Sequence, residues 1–127
     1  MNTKQICELD QYQEAALRTR NTNNDFGGHV LNAALGITGE AGEASDIVKK
    51  AIFHGYGFAP AHCPGEEEGN THKLALELGY LLYYISIRSH EIGYTLEDIV
   101  QMNISKLVTR YPNGFSREAS QKRVDVK

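Results

Sequence analysis

The sequence predicts an all-α protein, and three observations support this prediction. The three prolines all lie at or after Pro60, so the first half of the chain contains no residue that breaks a helix. Apolar residues recur at helical spacing and do not alternate as they would in a strand. Hydrophobic residues make up 41% of the 127 residues and charged residues 23%, which is ordinary globular usage. Together these features predict one folded helical domain.

The first half of the chain predicts two helices. The first covers about Lys4 to Arg18, where apolar residues such as Leu9 and Leu17 share one side. A loop rich in Asn and Gly is predicted over residues 22–28. The second helix is predicted over Val30 to Phe53, with Gly55 as its C-cap.

The glycines inside the second predicted helix need an explanation. Gly36, Gly39 and Gly42 each cost about 1 kcal/mol relative to alanine in a helix interior. We expect a neighbouring helix or a ligand to approach these positions closely, since a side-chain-free surface permits that approach.

The second half predicts two more helices. A surface loop over residues 55–70 precedes a third helix, which starts at Thr71 or His72 and runs to Ile92. Thr95 followed by Asp98 resembles a capping box, so a fourth helix is predicted over Leu96 to Val108.

The predicted domain organisation is simple. Residues 1–115 form a single four-helix domain that includes an inserted loop at about 56–70, and residues 116–127 form a C-terminal tail. From Tyr111 onward we expect extended chain that packs through Phe115.

Charge and hydropathy exclude several classes of protein. The formal net charge of -3 is a poor match for binding a nucleic acid polymer through phosphate neutralisation. No apolar run approaches the roughly 20 residues that cross a bilayer, and the polar start lacks a signal-peptide core. We therefore expect a cytoplasmic protein without a membrane partner. Cys7 and Cys63 are too few for a disulfide framework and are expected to be reduced thiols.

Three glutamates are the candidate catalytic or metal-binding residues. Glu40 and Glu43 are three residues apart, so they lie on one helix face and repel each other. Glu77 lies among leucines in the third predicted helix, where a lone carboxylate is costly to bury. Convergence of the three would create an oxygen-rich site for Mg²⁺ or Mn²⁺ inside a helical bundle.

Simpler interpretations of these charges remain open. The acidic residues could form a solvated face on which Asp46 pairs with Lys50, and Glu77 could pair with Lys73 one turn earlier. A zinc site formed by His54, His62, Cys63 and His72 is a weaker alternative, because their spacing fits no common zinc pattern. The pair Tyr83 and Tyr84 is expected in the core or a subunit interface rather than as a base-stacking platform.

Several short motifs occur in order along the chain. They are Tyr12-Gln13, Leu35-Gly36, Gly39-Glu40-Ala41-Gly42-Glu43, Lys49-Lys50-Ala51-Ile52-Phe53-His54-Gly55, Glu77-Leu78-Gly79, Asn103-Ile104-Ser105-Lys106-Leu107 and Arg110-Tyr111-Pro112-Asn113-Gly114-Phe115. Together these motifs resemble those of the MazG-like nucleoside triphosphate pyrophosphohydrolases. The resemblance spans roughly Leu9 to Phe115.

This resemblance implies a four-helix MazG-like bundle that assembles as a homodimer or homotetramer. It further implies cleavage of a nucleoside triphosphate or related polyphosphate to monophosphate and pyrophosphate, with Mg²⁺ or Mn²⁺ as cofactor. The implied catalytic and metal-ligating residues are Glu40, Glu43 and Glu77. The implied substrate-binding residues are Lys50, Asn103, Lys106 and Arg110.

One position departs from the family pattern. The family's second acidic motif ends in Asp, whereas this chain has Tyr80, an uncharged phenol that is a poor ligand for a hard cation. The alternative hypothesis is therefore a degenerate, non-catalytic helical oligomer that binds nucleotide or a protein partner. Metal-dependent release of pyrophosphate distinguishes the two hypotheses.

Overall fold

The computed structural model describes residues 8–64 and 69–126 of the chain. These residues form no extended strand, and their one β-bridge joins Pro112 and Gly114. The prediction of an all-α fold is therefore confirmed, with a short fifth helix beyond the predicted four. The helices are α1 (Leu9–Leu17), α2 (Phe26–Phe53), α3 (Asn70–Glu91), α4 (Leu96–Arg110) and α5 (Arg117–Lys122).

The starts of α1 and α2 differ from the predictions. Residues 4–7 of the first predicted helix lie outside the described residues, and α1 begins at Leu9. The helix α2 begins at Phe26, so the predicted loop over residues 22–28 was wrong only at its last three residues, which belong to α2. Asp25 is its N-cap, and the Asp25 side chain accepts a hydrogen bond of 2.8 Å from the Gly28 amide. This cap satisfies an amide of the first turn, which offsets the helix-disfavouring glycines.

The predicted start of α4 is confirmed in detail. The Thr95 hydroxyl accepts a hydrogen bond from the Asp98 amide, and the Asp98 carboxylate accepts one from the Thr95 amide, each at 3.0 Å. This reciprocal arrangement is a capping box. The helix continues to Arg110, two residues beyond the predicted end.

The C-terminal segment is not the extended chain that we expected. Ser116 caps α5 by accepting a hydrogen bond from the Ala119 amide. The Arg110 guanidinium donates two hydrogen bonds to the Asp125 carboxylate, whose side chain is only 3% exposed. Phe115 lies beside the Tyr111 ring but remains 76% exposed, so it does not anchor the segment in the core.

Most helix–helix packing lies between α2 and α3, while α1 packs on α3 and α4 packs on both α1 and α3. Gln13 on α1 is buried where three helices meet. Its side-chain amide donates to the Ser86 carbonyl of α3 and accepts from the Leu96 amide of α4, each at 3.0 Å. These two bonds join α1, α3 and α4 at one buried point.

The buried core of the single chain is small, and many large apolar side chains remain exposed. The buried apolar residues in the described ranges are Ala16, Ala33, Ala51, Ile87 and Leu96. On α4 the exposed apolar residues are Val100, Met102, Ile104, Leu107 and Val108. Among the described residues, no helix is both long and apolar enough to span a membrane.

Candidate metal centre

Three carboxylates from two helices meet at one place. Glu40 and Glu43 lie on α2 and Glu77 lies on α3, and one oxygen from each of the three lies within 4.8 Å of the others. We call these three residues the acidic cluster. Helical periodicity places the two α2 residues on one face, and the packing of α3 against that face brings in Glu77.

Two carboxylates of the acidic cluster each have an oxygen without a donor among the described residues. Glu40 and Glu77 are half-buried, whereas Glu43 is exposed. The Oε2 atoms of Glu40 and Glu77 are shielded from solvent and receive no hydrogen bond from the described part of the chain. A proton shared with Glu40, together with burial, raises the pKa of the Glu77 carboxyl, although Glu43 acts in the opposite direction. Shielded carboxylate oxygens without donors fit a hard divalent cation such as Mg²⁺ or Mn²⁺.

A close contact between α2 and α3 lies one turn from Glu40 and two turns from Glu43 and Glu77. A Cβ atom on Gly36 would lie within 2.6 Å of Cγ of Tyr84 and nearer still to its Cδ1 and Cε1. The Tyr84 ring therefore rests directly on the backbone of α2. The predicted close approach is confirmed at Gly36, whereas nothing in the described residues lies within 4 Å of a Cβ at Gly39 or Gly42.

A cavity of about 540 Å³ adjoins the acidic cluster, because Glu40 lies in its wall. Four of its lining residues are tyrosines. The Thr19 hydroxyl donates a 3.1 Å hydrogen bond to the hydroxyl of Tyr83, so the turn after α1 closes one side. Nothing in the sequence pattern pointed to Thr19. The lining residues are Tyr12, Thr19, Glu40, Leu76, Gly79, Tyr80, Tyr83 and Tyr84.

Tyr80 lies in the wall of this cavity and is 57% exposed. Its phenol adds no carboxylate to the acidic cluster. Tyr83 and Tyr84 are both half-buried, with their ring centroids 5.2 Å apart and nearly perpendicular planes. The sequence analysis treated packing and a role in a binding site as alternatives for this pair. In the structure the two rings contribute both to packing between helices and to the cavity wall.

Lys50 has a partner on its own helix. Its ammonium lies 2.7 Å from the Asp46 carboxylate, and the side chains of both residues are about half exposed. The hydrogen bond to Asp46 raises the pKa of Lys50, and the same bond lowers the pKa of Asp46. The structure thus contains the i,i+4 ion pair between Asp46 and Lys50 that the simpler interpretation predicted. An exposed pair of this kind is weak and easily exchanged for another anion.

The other predicted substrate-binding residues lie on α4, and the single chain does not bring them to the cavity beside Glu40. Asn103 and Lys106 are exposed, and Lys106 borders a separate surface cleft near Asp125. The Asp125 carboxylate raises the pKa of Arg110 and occupies its guanidinium.

The zinc alternative is not supported. Among the described residues, the acidic cluster is the only grouping of three or more His, Cys, Asp or Glu side chains that converge as metal ligands do. His54, His62, Cys63 and His72 do not form such a group. Cys63 is a free thiol, and Cys7 lies outside the described residues.

The fold and the site together define an all-α protein with a three-carboxylate site between two helices. Residues 29–115 match the model of the MazG nucleotide pyrophosphohydrolase domain. The chain belongs to this family, which confirms the resemblance seen in the sequence. It is also similar to the Gene 37 protein of Mycobacterium phage L5, with 27% identity over 89 residues that cover 70% of this chain and 72% of that protein. No solved structure matches the chain.

Proposed function

We propose that this protein is a metal-dependent pyrophosphohydrolase that cleaves a nucleoside triphosphate, or a related nucleotide polyphosphate, to monophosphate and pyrophosphate. The observation that carries the proposal is the convergence of Glu40, Glu43 and Glu77 within 4.8 Å. Family membership supports the same reaction class. Three converging carboxylates, two of which have an oxygen without a donor among the described residues, are expected where a cation compensates their charge.

Glu40, Glu43 and Glu77 are the residues that would hold Mg²⁺ or Mn²⁺. A bound divalent cation supplies neutralisation of phosphate charge and makes water a better nucleophile. Glu43 is exposed, so the site is open to both the water and the polyphosphate. In the reaction, the oxygen of water bonds to the α-phosphorus, the bond from that phosphorus to the bridging oxygen breaks, and pyrophosphate and a proton leave.

The cavity beside Glu40 would receive the nucleoside end of the substrate. Its volume of about 540 Å³ lies within the usual range for small-molecule sites. Tyrosine rings offer flat surfaces for a base, and their hydroxyls offer hydrogen bonds. Lys50 lies two turns after Glu43 on α2, so its ammonium would exchange Asp46 for a substrate phosphate.

The predicted substrate-binding residues on α4 would act at the site of a second copy of the chain. Five large apolar side chains on α4 are exposed in the single chain, which is typical of a surface that another subunit covers. Asn103 and Lys106 would contact phosphate or nucleotide in such a homodimer or homotetramer, and Arg110 would do so on release from Asp125. Light scattering should give at least twice the 14.1 kDa mass of one chain at micromolar concentration. A monomer would refute this part of the proposal.

The direct test is a panel of ribo- and deoxyribonucleoside triphosphates assayed with Mg²⁺ and with Mn²⁺, in which monophosphate and pyrophosphate are quantified. We expect turnover of at least one nucleotide, loss of turnover with EDTA, and a loss of more than about 100-fold in Glu77→Gln, because one ligand is removed. Release of orthophosphate in place of pyrophosphate would contradict the reaction that we propose.

A second function is favoured by one observation, the phenol of Tyr80 beside Glu40. If the missing fourth carboxylate has disabled the site, the protein is a non-catalytic oligomer that binds nucleotide. Equilibrium binding of a nucleotide without pyrophosphate release, across the full panel and with both metals, would support this alternative over the enzyme.

A further inference from the structure

The contact between Gly36 and Tyr84 is unusual among the glycine contacts of α2 and α3. Ordinary contact between a Cβ and another heavy atom begins at 3.4 Å, and a Cβ on Gly36 would lie well inside this distance from three ring atoms of Tyr84. By contrast, nothing described lies within 4 Å of a Cβ on Gly39, Gly42 or Gly79. Only at Gly36 does the opposite helix require the absence of a side chain.

The contact between Gly36 and Tyr84 lies on the same faces of α2 and α3 as the acidic cluster. Gly36 precedes Glu43 by seven residues on α2, and Tyr84 follows Glu77 by seven residues on α3. Seven residues are two helical turns, about 10 Å, and return to the same face. The two helices therefore run antiparallel. The close backbone contact lies at the level of Gly36, and the three carboxylates lie one to two turns away along the same interface.

The Tyr84 ring cannot easily move aside. The atoms nearest Gly36 include Cγ, at the root of the ring, so rotation of the ring about its own axis does not relieve an overlap. The Tyr83 ring packs against it edge to face, and Thr19, in the turn after α1, donates to the Tyr83 hydroxyl. A methyl group at position 36 would thus push the helices apart by roughly 1 Å, since interiors are close-packed.

We infer that the contact between Gly36 and Tyr84 is a positioning device that holds α2 and α3 at the separation at which Glu77 reaches Glu40 and Glu43. The carboxylates themselves repel, so they cannot provide this separation. Distances from Mg²⁺ to its ligands are fixed near 2.1 Å, and a shift of the helices by 1 Å removes a ligand from reach. The inference rests on the proposed metal site but concerns residues that do not touch the ion.

Matched glycine variants of α2 test this inference. Gly36→Ala and Gly39→Ala introduce the same methyl group and the same gain in helix propensity into the same helix, but only the first meets a neighbour. The affinity for Mn²⁺ alone is measured on the full chain by EPR of the free ion, well below the melting temperature. We expect Gly36→Ala to bind Mn²⁺ about 10- to 100-fold more weakly, and Gly39→Ala to bind within twofold of the unsubstituted protein.

A second pair of variants on α3 keeps the test decisive if Gly36→Ala does not fold. Tyr84→Phe keeps the ring, so its Mn²⁺ affinity should be unchanged. Tyr84→Leu removes the flat ring and should weaken Mn²⁺ binding even when circular dichroism shows full helix content. If the contact only stabilised the fold, its loss in these variants would lower the melting temperature of the metal-free protein and leave the Mn²⁺ affinity intact. That result would overturn the inference.

The outcomes also separate this inference from the proposed function. If the unsubstituted protein binds no Mn²⁺ at millimolar concentration, the metal site itself is refuted. If the unsubstituted protein binds Mn²⁺ and the folded Gly36→Ala and Tyr84→Leu variants bind it equally well, only the positioning role is refuted.

Discussion

Two groups of acidic side chains in this protein carry like charges close together, and they differ in what holds them. The acidic cluster joins α2 to α3, while a second group joins the starts of α1 and α4. There, a hydrogen bond shared with Asp10 raises the pKa of Glu97, and Glu8 and Asp98 add repulsion. One oxygen of Asp10 is also shielded without a partner in the described residues.

The second group nevertheless has a structural explanation. The Asp98 carboxylate is engaged in the capping box with Thr95, and carboxylates at a helix start are stabilised by the helix dipole. Within the described ranges, only the acidic cluster offers three converging oxygens. Shared negative charge alone therefore does not make a candidate metal site in this protein. The convergence of three carboxylate oxygens makes the acidic cluster the candidate.

The strongest test of this difference is a pair of matched substitutions. Glu43→Gln should abolish the thermal stabilisation by Mg²⁺ or Mn²⁺, whereas Glu97→Gln should leave it intact. At a metal concentration of 100 times the dissociation constant, the stabilisation lost is about 2.7 kcal/mol. Differential scanning calorimetry with and without metal measures it. Equal metal responses in both variants would remove the distinction between the two groups.

Adding a carboxylate to the acidic cluster should strengthen metal binding. Tyr80→Asp places a negative charge beside Glu40, one turn from Glu77, and we expect Mn²⁺ affinity to rise about tenfold through the added attraction. Any pyrophosphohydrolase rate should rise with it. Tyr94→Asp, in the connection between α3 and α4, is the matched control and should leave Mn²⁺ affinity unchanged.

The melting temperature of the metal-free Tyr80→Asp protein reports separately on the loss of the ring. A folded variant with unchanged metal affinity and unchanged activity would show that position 80 is not part of the site.

The pH dependence of stability gives the smallest expected effect. Because the pKa of Glu77 is raised in the fold, the metal-free folded state binds a proton more tightly than the unfolded chain. This contribution is present at low pH and is lost as the pH rises through the pKa of the folded state. Urea unfolding between pH 4 and pH 7 should therefore show a shallower loss of stability in Glu77→Gln than in the unsubstituted protein.

Glu97 provides the comparison for this measurement. Its pKa is also raised, so Glu97→Gln should likewise flatten the pH dependence. At pH 7, however, Mn²⁺ should raise the stability of Glu97→Gln and fail to raise the stability of Glu77→Gln. An equal increase in both variants would show that the ion binds elsewhere.

Local sequence signals predicted most of the fold. Four helices and the capping box of α4 followed from apolar periodicity and from Thr95 and Asp98, because both depend on near neighbours in the chain. The failures were also local. Asp25 proved to be an N-cap that draws two glycines into α2, and Ser116 starts a six-residue helix too short to show a period.

The sequence by itself determined that Glu40 and Glu43 share a face and that Glu77 needs compensation, because these conclusions depend only on spacing and on the cost of burying charge. Only the tertiary structure decided that Glu77 meets them and that Gly36 alone among the α2–α3 glycines contacts the opposite helix. It also decided that Gln13 joins three helices. Such contacts link residues tens of positions apart, and their register is set by packing between helices, which no local pattern encodes.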